Sequence, residues 1–273
     1  MSEQAIKKIL ITGANGFIGG SLMRYYQNHG QDVVGVDLIG NGDNIVEGDI
    51  SQPETISQQL QECDVIIHTA ALVSNAMQDS DMWRVNVLAT RNLIQAAKEH
   101  KVRRFVQISS IVAYGNSAEG ELDETHPVHA DGGSYVLTKL ASEHVVLSEQ
   151  ANDDIEVVII RPGDAYGPGS RPWIIAPLEA IAKNQFMLPE KGEGFFRPIY
   201  IDDLVRGIAM ASKHPDADGE IFNLSCEGYM FTKDYFTPHY QWLGKKRPMV
   251  VSTNLALKIS AIASKLADLM GNL

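Results

Sequence analysis

A tyrosine and a lysine stand one helical turn apart in the segment YVLTK, Tyr135–Lys139. In a helix this i, i+4 spacing places the phenol and the ammonium on one face. A tyrosine phenol ionises near pH ~10, and a neighbouring positive charge lowers that pKa, so the pair is suited to proton exchange near neutral pH. The same spacing also arises by chance in helices, so a structural role is the alternative. The pair predicts acid–base chemistry at a substrate oxygen.

Ser110 is a third candidate because it follows the apolar segment Phe105–Ser109. That segment predicts a parallel strand, and open α/β sheets bind their ligands at the carboxyl ends of such strands. A hydroxyl there can hydrogen-bond a substrate carbonyl or alkoxide as charge shifts between the C–O states. A strand-end cap is the structural alternative, and the neighbouring Ser109 competes for the same role.

The segment TGANGFIGG, Thr12–Gly20, lies between a predicted strand and a predicted helix. Gly13 allows a tight turn, Gly16 lets the backbone approach a pyrophosphate, and Gly19 lets the helix pack closely on the sheet. Phosphates are favoured at the helix N-terminus, where free N–H groups and the helix dipole attract negative charge. A purely structural turn is the alternative. The predicted cofactor-binding residues of this turn are Gly13, Asn15, Gly16, Phe17, Ile18 and Gly19.

Asp37 ends the second predicted strand, close to the ~20-residue offset at which an acidic side chain binds the adenosine ribose. A carboxylate there repels the 2′-phosphate of NADP, and the segment DLIGNGDN that begins with it contains no Arg or Lys. We therefore expect NAD rather than NADP, with a solvated strand-end carboxylate as the alternative for Asp37. Asp49 and Ile50 are placed to reach the adenine edge, although Asp49 is equally placed to cap a helix that begins near Pro53.

Runs rich in valine and isoleucine alternate with helical patterns over most of the chain, which is typical of βαβ units in a parallel sheet. The predicted strands are Lys8–Thr12, Asp32–Asp37, Val65–Thr69, Phe105–Ser109 and Val157–Arg161, with Pro198–Ile201 and Glu220–Leu224 as further strands or edges. The predicted helices are Phe17–His29, Pro53–Gln61, Asp81–His100, Ser134–Gln150, Pro172–Lys183 and Asp202–Lys213, with N-caps at Asp81 and Ser134. The expected fold class is α/β, a Rossmann-type doubly wound parallel sheet with a small C-terminal substrate lobe.

A segment dense in glycine and proline, Gly163–Arg171, predicts where the chain leaves the sheet. We expect an NAD-binding domain at residues 1–164, with 197–226 returning to it, and a substrate-binding lobe at 165–196 and 227–273. The tail Asn254–Leu273 has apolar residues three or four apart. It predicts an amphipathic helix that packs on the substrate lobe or on another subunit rather than on a membrane surface.

The net charge of −11 disfavours nonspecific binding to nucleic acid or to anionic membranes. Cys63 and Cys226 have no CxxC spacing, and the histidines show no ligand spacing, so neither a disulfide scaffold nor a metal site is expected. This cysteine usage favours a reducing compartment, the cytoplasm by default. No apolar stretch approaches the ~20 residues that cross a bilayer, and no secretory signal is found, so we expect a soluble protein.

Jointly these residues resemble the extended and atypical branch of the short-chain dehydrogenase/reductase superfamily, which includes nucleotide-sugar epimerases and dehydratases and the 3β-hydroxysteroid dehydrogenases. The resemblance covers nearly the whole chain. In the family's order, the motifs are TGANGFIGG, the strand-end Asp37, HTAA from His68, VNVLATRNL around Asn86, ISSIVAYG from Ile108, YVLTK, IIRPGDAYGPG from Ile159 and RPIYIDDLVRGI from Arg197.

The resemblance implies a role for each catalytic candidate. Tyr135 matches the family's catalytic acid/base, and Lys139 matches the residue that lowers its pKa and holds the nicotinamide ribose. Ser110 matches the substrate-orienting hydroxyl better than Ser109 does. Asn86 matches a helix asparagine that supports the neighbouring strand and, in some relatives, a proton relay; it is also a predicted cofactor contact.

The resemblance also implies further cofactor and substrate contacts. Ala70 and Ala71 match backbone that passes under the cofactor, and Pro162 and Gly163 match the turn beside the carboxamide. The substrate contacts implied are Ser110, Tyr166 and Arg197.

Arg197 matches a residue that holds a diphosphate in nucleotide-sugar relatives. Its guanidinium suits carboxylates equally well, so bracing Asp202 or Asp203 is the alternative.

The function expected first is an NAD-dependent oxidoreductase that interconverts a secondary alcohol and a ketone on a moderately apolar small molecule. The apolar segment between Pro172 and Leu204 resembles hydroxysteroid-dehydrogenase-like members more than sugar epimerases. A nucleotide-sugar epimerase or dehydratase is the first alternative, and a non-catalytic NAD-binding sensor is the second. The tail after Leu224 is shorter than in many relatives, which predicts an open, a shortened or a partner-completed pocket. The resemblance implies a homodimer.

Overall fold

The computed structural model describes residues 6–41, 44–61, 63–73, 78–115, 120–151 and 154–259. The chain forms two compact units. The first comprises Met1–Gly163 and Ile201–Leu224, and the second comprises Asp164–Tyr200 and Ser225–Leu273.

The first unit is built on a seven-stranded parallel sheet. In chain order, the strands of the protein are β1 (Lys8–Thr12), β2 (Asp32–Asp37), β3 (Ile45–Glu47), β4 (Val65–His68), β5 (Arg104–Ile108), β6 (Glu156–Pro162), β7 (Asp164–Tyr166), β8 (Phe195–Phe196), β9 (Pro198–Tyr200), β10 (Ile221–Leu224) and β11 (Met230–Phe231). The sheet has the order β10-β6-β5-β4-β1-β2-β3. The direction of the winding reverses between β1 and β4, and in open α/β sheets ligands bind at such a point. The predicted fold class is confirmed.

Helices connect these strands. In chain order they are α1 (Phe17–Asn28), α2 (Ser57–Leu60), α3 (Asp79–Trp83), α4 (Thr90–Glu99), α5 (Ser134–Gln150), α6 (Ala176–Ala182), α7 (Ile201–Lys213) and α8 (Thr232–Trp242). A π-helical stretch, Arg84–Ala89, joins α3 to α4, so the helix predicted at Asp81–His100 consists of three segments.

The two N-caps predicted from the sequence were wrong. Gln78 and Gly133 occupy the N-cap positions of α3 and α5. The hydroxyl of Ser134 donates instead to the carboxylate of Asp79, and Asp81 pairs with an arginine one turn later. Both side chains therefore bind other side chains and not the first free amides of their helices.

The core of the first unit lies on both faces of the sheet. Every residue of β4 and β5 is buried, as expected for central parallel strands covered on both sides. Leu10, Ile66 and Phe105 pack against Leu93 and Ile94 of α4. Helices α1 and α7 contact each other, and each also contacts the sheet.

The second unit contains two small sheets. β7 pairs with β9 in parallel, and β8 pairs with β11 in antiparallel fashion. The return to the first unit begins at Ile201 and not at residue 197 as expected, because β9 pairs with β7 and not with the large sheet. The core of the second unit is mainly aromatic. It comprises Leu188, Phe196, Tyr235 and Phe236, packed against Tyr166, Trp173 and Phe186.

No helix among the described residues is both long and apolar enough to span a bilayer. Residues 253–259 are helical. The rest of the amphipathic helix predicted for Asn254–Leu273 lies outside the described residues.

Arg104 ties the sheet to the end of α7. Its side chain is fully buried at the start of β5. Its Nε donates to Glu156 at 2.7 Å, and its Nη1 donates to the carbonyls of Ala211 and His214 at 2.9 and 2.8 Å. A buried guanidinium with this many acceptors makes a large contribution to stability.

We expect Arg104→Ala to lower the free energy of unfolding by about 3 kcal/mol, because buried carbonyls lose their donor. Arg103→Ala is the matched control. Arg103 contacts the same Glu156 at 2.9 Å but is more exposed, so its loss should cost about 1 kcal/mol or less. Chemical denaturation followed by circular dichroism measures both values, and equal losses would contradict the anchoring role.

Candidate active site

The glycine-rich turn brings three backbone segments into close approach. Gly13 has a φ of +68°, a conformation that favours glycine, and a Cβ there would lie 2.8 Å from the Cα of Ala70. A Cβ on Gly19 would lie 2.2 Å from the carbonyl oxygen of Gly13. The turn therefore has no room for side chains at these positions, and its backbone is left bare toward the cleft beside it.

The N-terminus of α1 follows directly. Gly16 is its N-cap, in an extended conformation, and no side chain in the described part of the chain caps the helix. Phe17 and Ile18 are the first helical residues, so their amides are among the N–H groups that have no partner within the helix. This is an arrangement that binds anions, phosphates in particular.

Asp37 lies at the end of β2, beside this turn. Its carboxylate accepts hydrogen bonds from the backbone amides of Asn15 at 2.9 Å and Leu38 at 2.8 Å. The side-chain amide of Asn15 donates to the carbonyl of Ile39 at 2.7 Å. A carboxylate with two oxygens fixed in this way retains lone pairs for the hydroxyls of a ribose.

A cleft of about 400 Å³ adjoins the turn. It is lined by Gly13, Gly16, Val36, Asp37, Leu38, Gly48, Asp49, Ile50, Thr69, Ala70, Ala71, Leu72, Asp81, Arg84 and Val85. Seven of the predicted cofactor residues are among them: Gly13, Gly16, Asp37, Asp49, Ile50, Ala70 and Ala71. Asp81 and Arg84 were not predicted as site residues, because no motif distinguishes them from ordinary charges at the start of a helix.

The side chain of Asp49 lines this cleft and also binds its own turn. Its carboxylate accepts the amide of Ser51 at 2.8 Å. The N-cap of the short 3-10 helix Pro53–Ile56 is Gln52, so Asp49 does not cap it.

Asn86 braces the chain that leaves β4. Its Oδ1 accepts the amide of Leu72 at 2.7 Å, and its Nδ2 donates to the carbonyl of Leu72 at 3.0 Å and to Thr138 at 3.1 Å.

Pro162 ends β6 opposite Leu224, and the amide of Gly163 donates to the carbonyl of Leu224 at 2.8 Å.

Ser110, Tyr135 and Lys139 come together where β5 ends. The hydroxyl of Ser110 lies close enough to the phenol of Tyr135 to lower its pKa. The ammonium of Lys139 is buried and donates to the carbonyl of Ile108 at 2.9 Å. The structure therefore brings the three predicted catalytic candidates to one edge of the sheet.

The pKa values of this group differ from the expected ones. Burial raises the pKa of Tyr135 above its usual value, and the nearby side chain of Ser110 offsets only part of that effect. The expectation that Lys139 lowers the Tyr135 pKa is therefore not met in the free protein, where burial is the largest effect. Burial also lowers the pKa of Lys139 to about 8, against the opposing charge of Glu143.

Ser109 belongs to a different network from Ser110. Its hydroxyl donates to the carboxylate of Glu143, which also accepts the guanidinium of Arg161 at 2.7 Å and 3.0 Å. Arg161 in turn donates to the hydroxyl of Tyr114 at 3.0 Å. Glu143 and Arg161 were not predicted from the sequence, although Glu143 continues the four-residue spacing of Tyr135 and Lys139 by one more turn.

His68 has a structural role in the core of the first unit. It is buried, and its Nδ1 and Nε2 lie 2.6 Å and 3.0 Å from the hydroxyls of Thr12 and Thr90. Burial, assisted by the charge of Lys139, lowers the pKa of His68 to about 3, so the ring is neutral.

The predicted substrate residues Tyr166 and Arg197 lie in the second unit. The ring of Tyr166 packs edge-on against Tyr200 and Tyr235, with centroids 5.5 and 5.6 Å apart. The guanidinium of Arg197 donates to the carbonyl of Gly228 and lies over the ring of Tyr229, 5.8 Å from its centroid.

Asp164, also in the second unit, is a largely buried carboxyl group that sequence reasoning missed. One oxygen accepts the backbone amide of Arg197 at 3.1 Å. Burial raises the pKa of Asp164 to about 6, and the hydrogen bond from Arg197 opposes that rise.

Comparison with known proteins places these features in context. The sequence model of the NAD dependent epimerase/dehydratase family matches residues 9–225. The low-salt glycan biosynthesis protein Agl12 of Haloferax volcanii is 30% identical over 237 residues, which cover 79% of this chain and 76% of that protein.

Two further similar proteins have different chemistry. The sterol-4-alpha-carboxylate 3-dehydrogenase (decarboxylating) of Candida albicans is 27% identical over 89% of this chain and 74% of its own. The structure of UDP-glucuronic acid 4-epimerase from Bacillus cereus in complex with NAD is similar with a TM-score of 0.79 and 26% identity, over 90% of this chain and 87% of that chain.

We expect Gly19→Ala to weaken NAD binding at least about tenfold, because its Cβ cannot coexist with the Gly13 carbonyl and the turn must move. Gly20→Ala is the control, since a Cβ there lies 3.3 Å from its nearest neighbour, the carbonyl of Ala14. Isothermal titration calorimetry with NAD measures both. Equal NAD affinity in the two variants would contradict the importance of the close approach.

We expect Asp164→Asn to stabilise the protein at neutral pH. A carboxyl group whose pKa is raised to about 6 in the folded protein destabilises the fold when it ionises. This loss of stability begins above about pH 4, where the unfolded chain ionises, and is complete above about pH 6, where the folded protein also ionises. The gain should approach about 2 kcal/mol at pH 7 and vanish near pH 4. Denaturant titrations over this pH range measure it, and a difference independent of pH would refute the assignment.

Proposed function

The chain belongs to the NAD dependent epimerase/dehydratase family, and on that premise we propose that it interconverts a secondary alcohol and a ketone on a moderately apolar small molecule. It is an NAD-dependent enzyme of the short-chain dehydrogenase/reductase type. The observation that carries the proposal is that Ser110, Tyr135 and the buried Lys139 meet at the end of β5, in the same unit as the glycine-rich turn.

The residues present fit the cofactor. The bare turn at Gly13 and Gly19 leaves room for a pyrophosphate at the start of α1, and the carboxylate of Asp37 can accept the ribose hydroxyls. When bound, NAD supplies the hydride acceptor in one direction and the hydride donor in the other. We assign the first unit to cofactor binding and the second to substrate binding.

Tyr135 exchanges the proton of the reacting oxygen. In ketone reduction the phenol gives its proton to the oxygen as the carbon receives hydride, and in alcohol oxidation the phenolate takes the hydroxyl proton as the carbon gives up hydride. Ser110 donates a hydrogen bond to the same oxygen and orients it. Because burial keeps the free phenol protonated, the free protein is poised to donate a proton, which is the role that ketone reduction requires.

Lys139 supplies the positive charge beside the phenol. Its pKa of about 8 leaves the ammonium largely protonated at neutral pH, and its bond to the Ile108 carbonyl fixes it in place. The negative charge of Glu143 acts on it, and Glu143 binds Ser109 and not Ser110. This division of contacts favours Ser110 over Ser109 as the substrate-orienting hydroxyl.

The apolar substrate class is supported by the apolar segment between Pro172 and Leu204. The similarity to a sterol dehydrogenase over most of the chain points the same way.

A nucleotide-sugar epimerase or dehydratase is the second candidate, and Arg197 is the observation that favours it. Its guanidinium already lies beside the ring of Tyr229, a pairing that could bind a phosphate next to a stacked base. The similar UDP-glucuronic acid 4-epimerase supports this alternative. In that case hydride returns to the substrate and no net NADH forms.

The proposal extends to compartment and assembly. Cys63 and Cys226 are free thiols, which fits the cytoplasm. Trp83 at the end of α3 and Leu88 on the segment that joins α3 to α4 are exposed, which supports a homodimer through this region and α5.

We expect Tyr135→Phe to reduce turnover about a hundredfold or more while NAD affinity stays unchanged, because only the exchangeable proton is lost. The assay follows NADH formation or consumption against a panel of secondary alcohols and ketones that includes sterols. Tyr114→Phe is the matched control, a buried hydroxyl bound to Arg161 and Asn223. Turnover retained in the Tyr135 variant would remove this phenol from the mechanism.

Mass spectrometry of molecules released on denaturation separates the candidates. NAD retained through purification, with epimerised or dehydrated sugar nucleotide formed and no net NADH, would favour the second candidate. NAD binding without turnover across the whole panel would favour a sensor.

A further inference from the structure

The cofactor cleft is rich in carboxylates. Asp37, Asp49 and Asp81 all line it. Among the described residues of its lining, Arg84 is the only cation. An adenine dinucleotide brings a negatively charged pyrophosphate into this cleft, so three carboxylates oppose its entry and one guanidinium favours it.

Arg84 is held only weakly in the free protein. Its guanidinium contacts the carboxylate of Asp81, one turn earlier, at 3.1 Å. Both side chains are about half exposed, at 58% and 44%. An exposed i, i+3 pair of this kind contributes about 0–1 kcal/mol, so exchanging the carboxylate for a phosphate costs little.

The backbone beneath Arg84 is fixed, however. Arg84 begins the π-helical stretch. Such turns are rare in proteins as a whole, and those that occur are often found at functional sites. Two residues further on, the buried Asn86 binds the amide and the carbonyl of Leu72, which lines the same cleft. The root of the arginine is thereby anchored to the cleft while its head group stays exposed.

We infer that Arg84 is a cofactor-binding residue that exchanges Asp81 for the pyrophosphate of bound NAD. In the free protein Asp81 holds the guanidinium at the cleft. In the complex the guanidinium donates to phosphate oxygens, for which its paired N–H groups are well suited, and Asp81 returns to solvent. The inference depends on NAD binding alone, so it stands or falls independently of the chemistry assigned to Tyr135.

Calorimetry on the full chain tests the exchange. We expect Arg84→Met, which keeps the apolar stem, to raise the Kd for NAD about tenfold, the usual effect of losing a hydrogen bond to a charged group. Asp81→Asn removes a competitor and a repelling charge, so it should lower the Kd about threefold. Arg91→Met is the matched control, because Arg91 is exposed and lies outside the cleft lining. This substitution changes the net charge equally, so the Kd of the variant for NAD should stay within about twofold of the wild-type value.

Fragments of the cofactor locate the contact. Arg84→Met should weaken ADP as much as NAD and leave adenosine unaffected, and added salt should weaken NAD binding more in the wild type than in the variant. An equal loss for adenosine would overturn the inference, since the guanidinium would then act on the nucleoside. Unchanged NAD affinity, or the same loss in Arg91→Met, would also overturn it.

Discussion

Helix α5 is attached to the sheet through a buried ion pair between Glu143 and Arg161, and the geometry of the candidate active site depends on it. The two side chains are 2% and 3% exposed. Removing one partner of such a pair leaves a buried charge without compensation and costs about 3–5 kcal/mol. Because Glu143 also accepts the hydroxyl of Ser109, the same pair fixes the end of β5 from which Ser110 extends.

The inner face of α5 is polar where an ordinary sheet-covering helix is apolar. Lys139, Ser142 and Glu143 are all buried there. The side-chain amide of Gln107 in β5 donates to Ser142, while its amide oxygen has no partner among the residues that the structure describes. Departures from simple patterning of this kind are expected at functional sites, where stability is given up for chemistry. Here the departure gives a lysine with a depressed pKa beside a phenol with a raised one.

Local sequence patterns predicted the helices and strands well. The contacts between these elements depended on the tertiary structure and were not predicted. The strands β1 and β2 and the helix α5 have the bounds expected from their apolar runs, and the glycine turn and Asp37 lie where their spacing indicated. The pairing of Glu143 with Arg161 was not predictable, because it joins residues of two elements whose packing the sequence does not state. The same holds for Arg84, whose significance comes only from the cleft that other segments build around it.

The first unit is discontinuous in sequence, and this has a consequence for how the protein is made. Its last strand, β10, pairs with β6 only after the whole of Asp164–Tyr200 has intervened. Until the ribosome has released residues beyond Leu224, β6 has an open, apolar edge, and α7 is not yet packed against α1. Such edges invite pairing with other chains, so the nascent protein is most exposed to aggregation late in synthesis, when nearly all of its sheet has already formed.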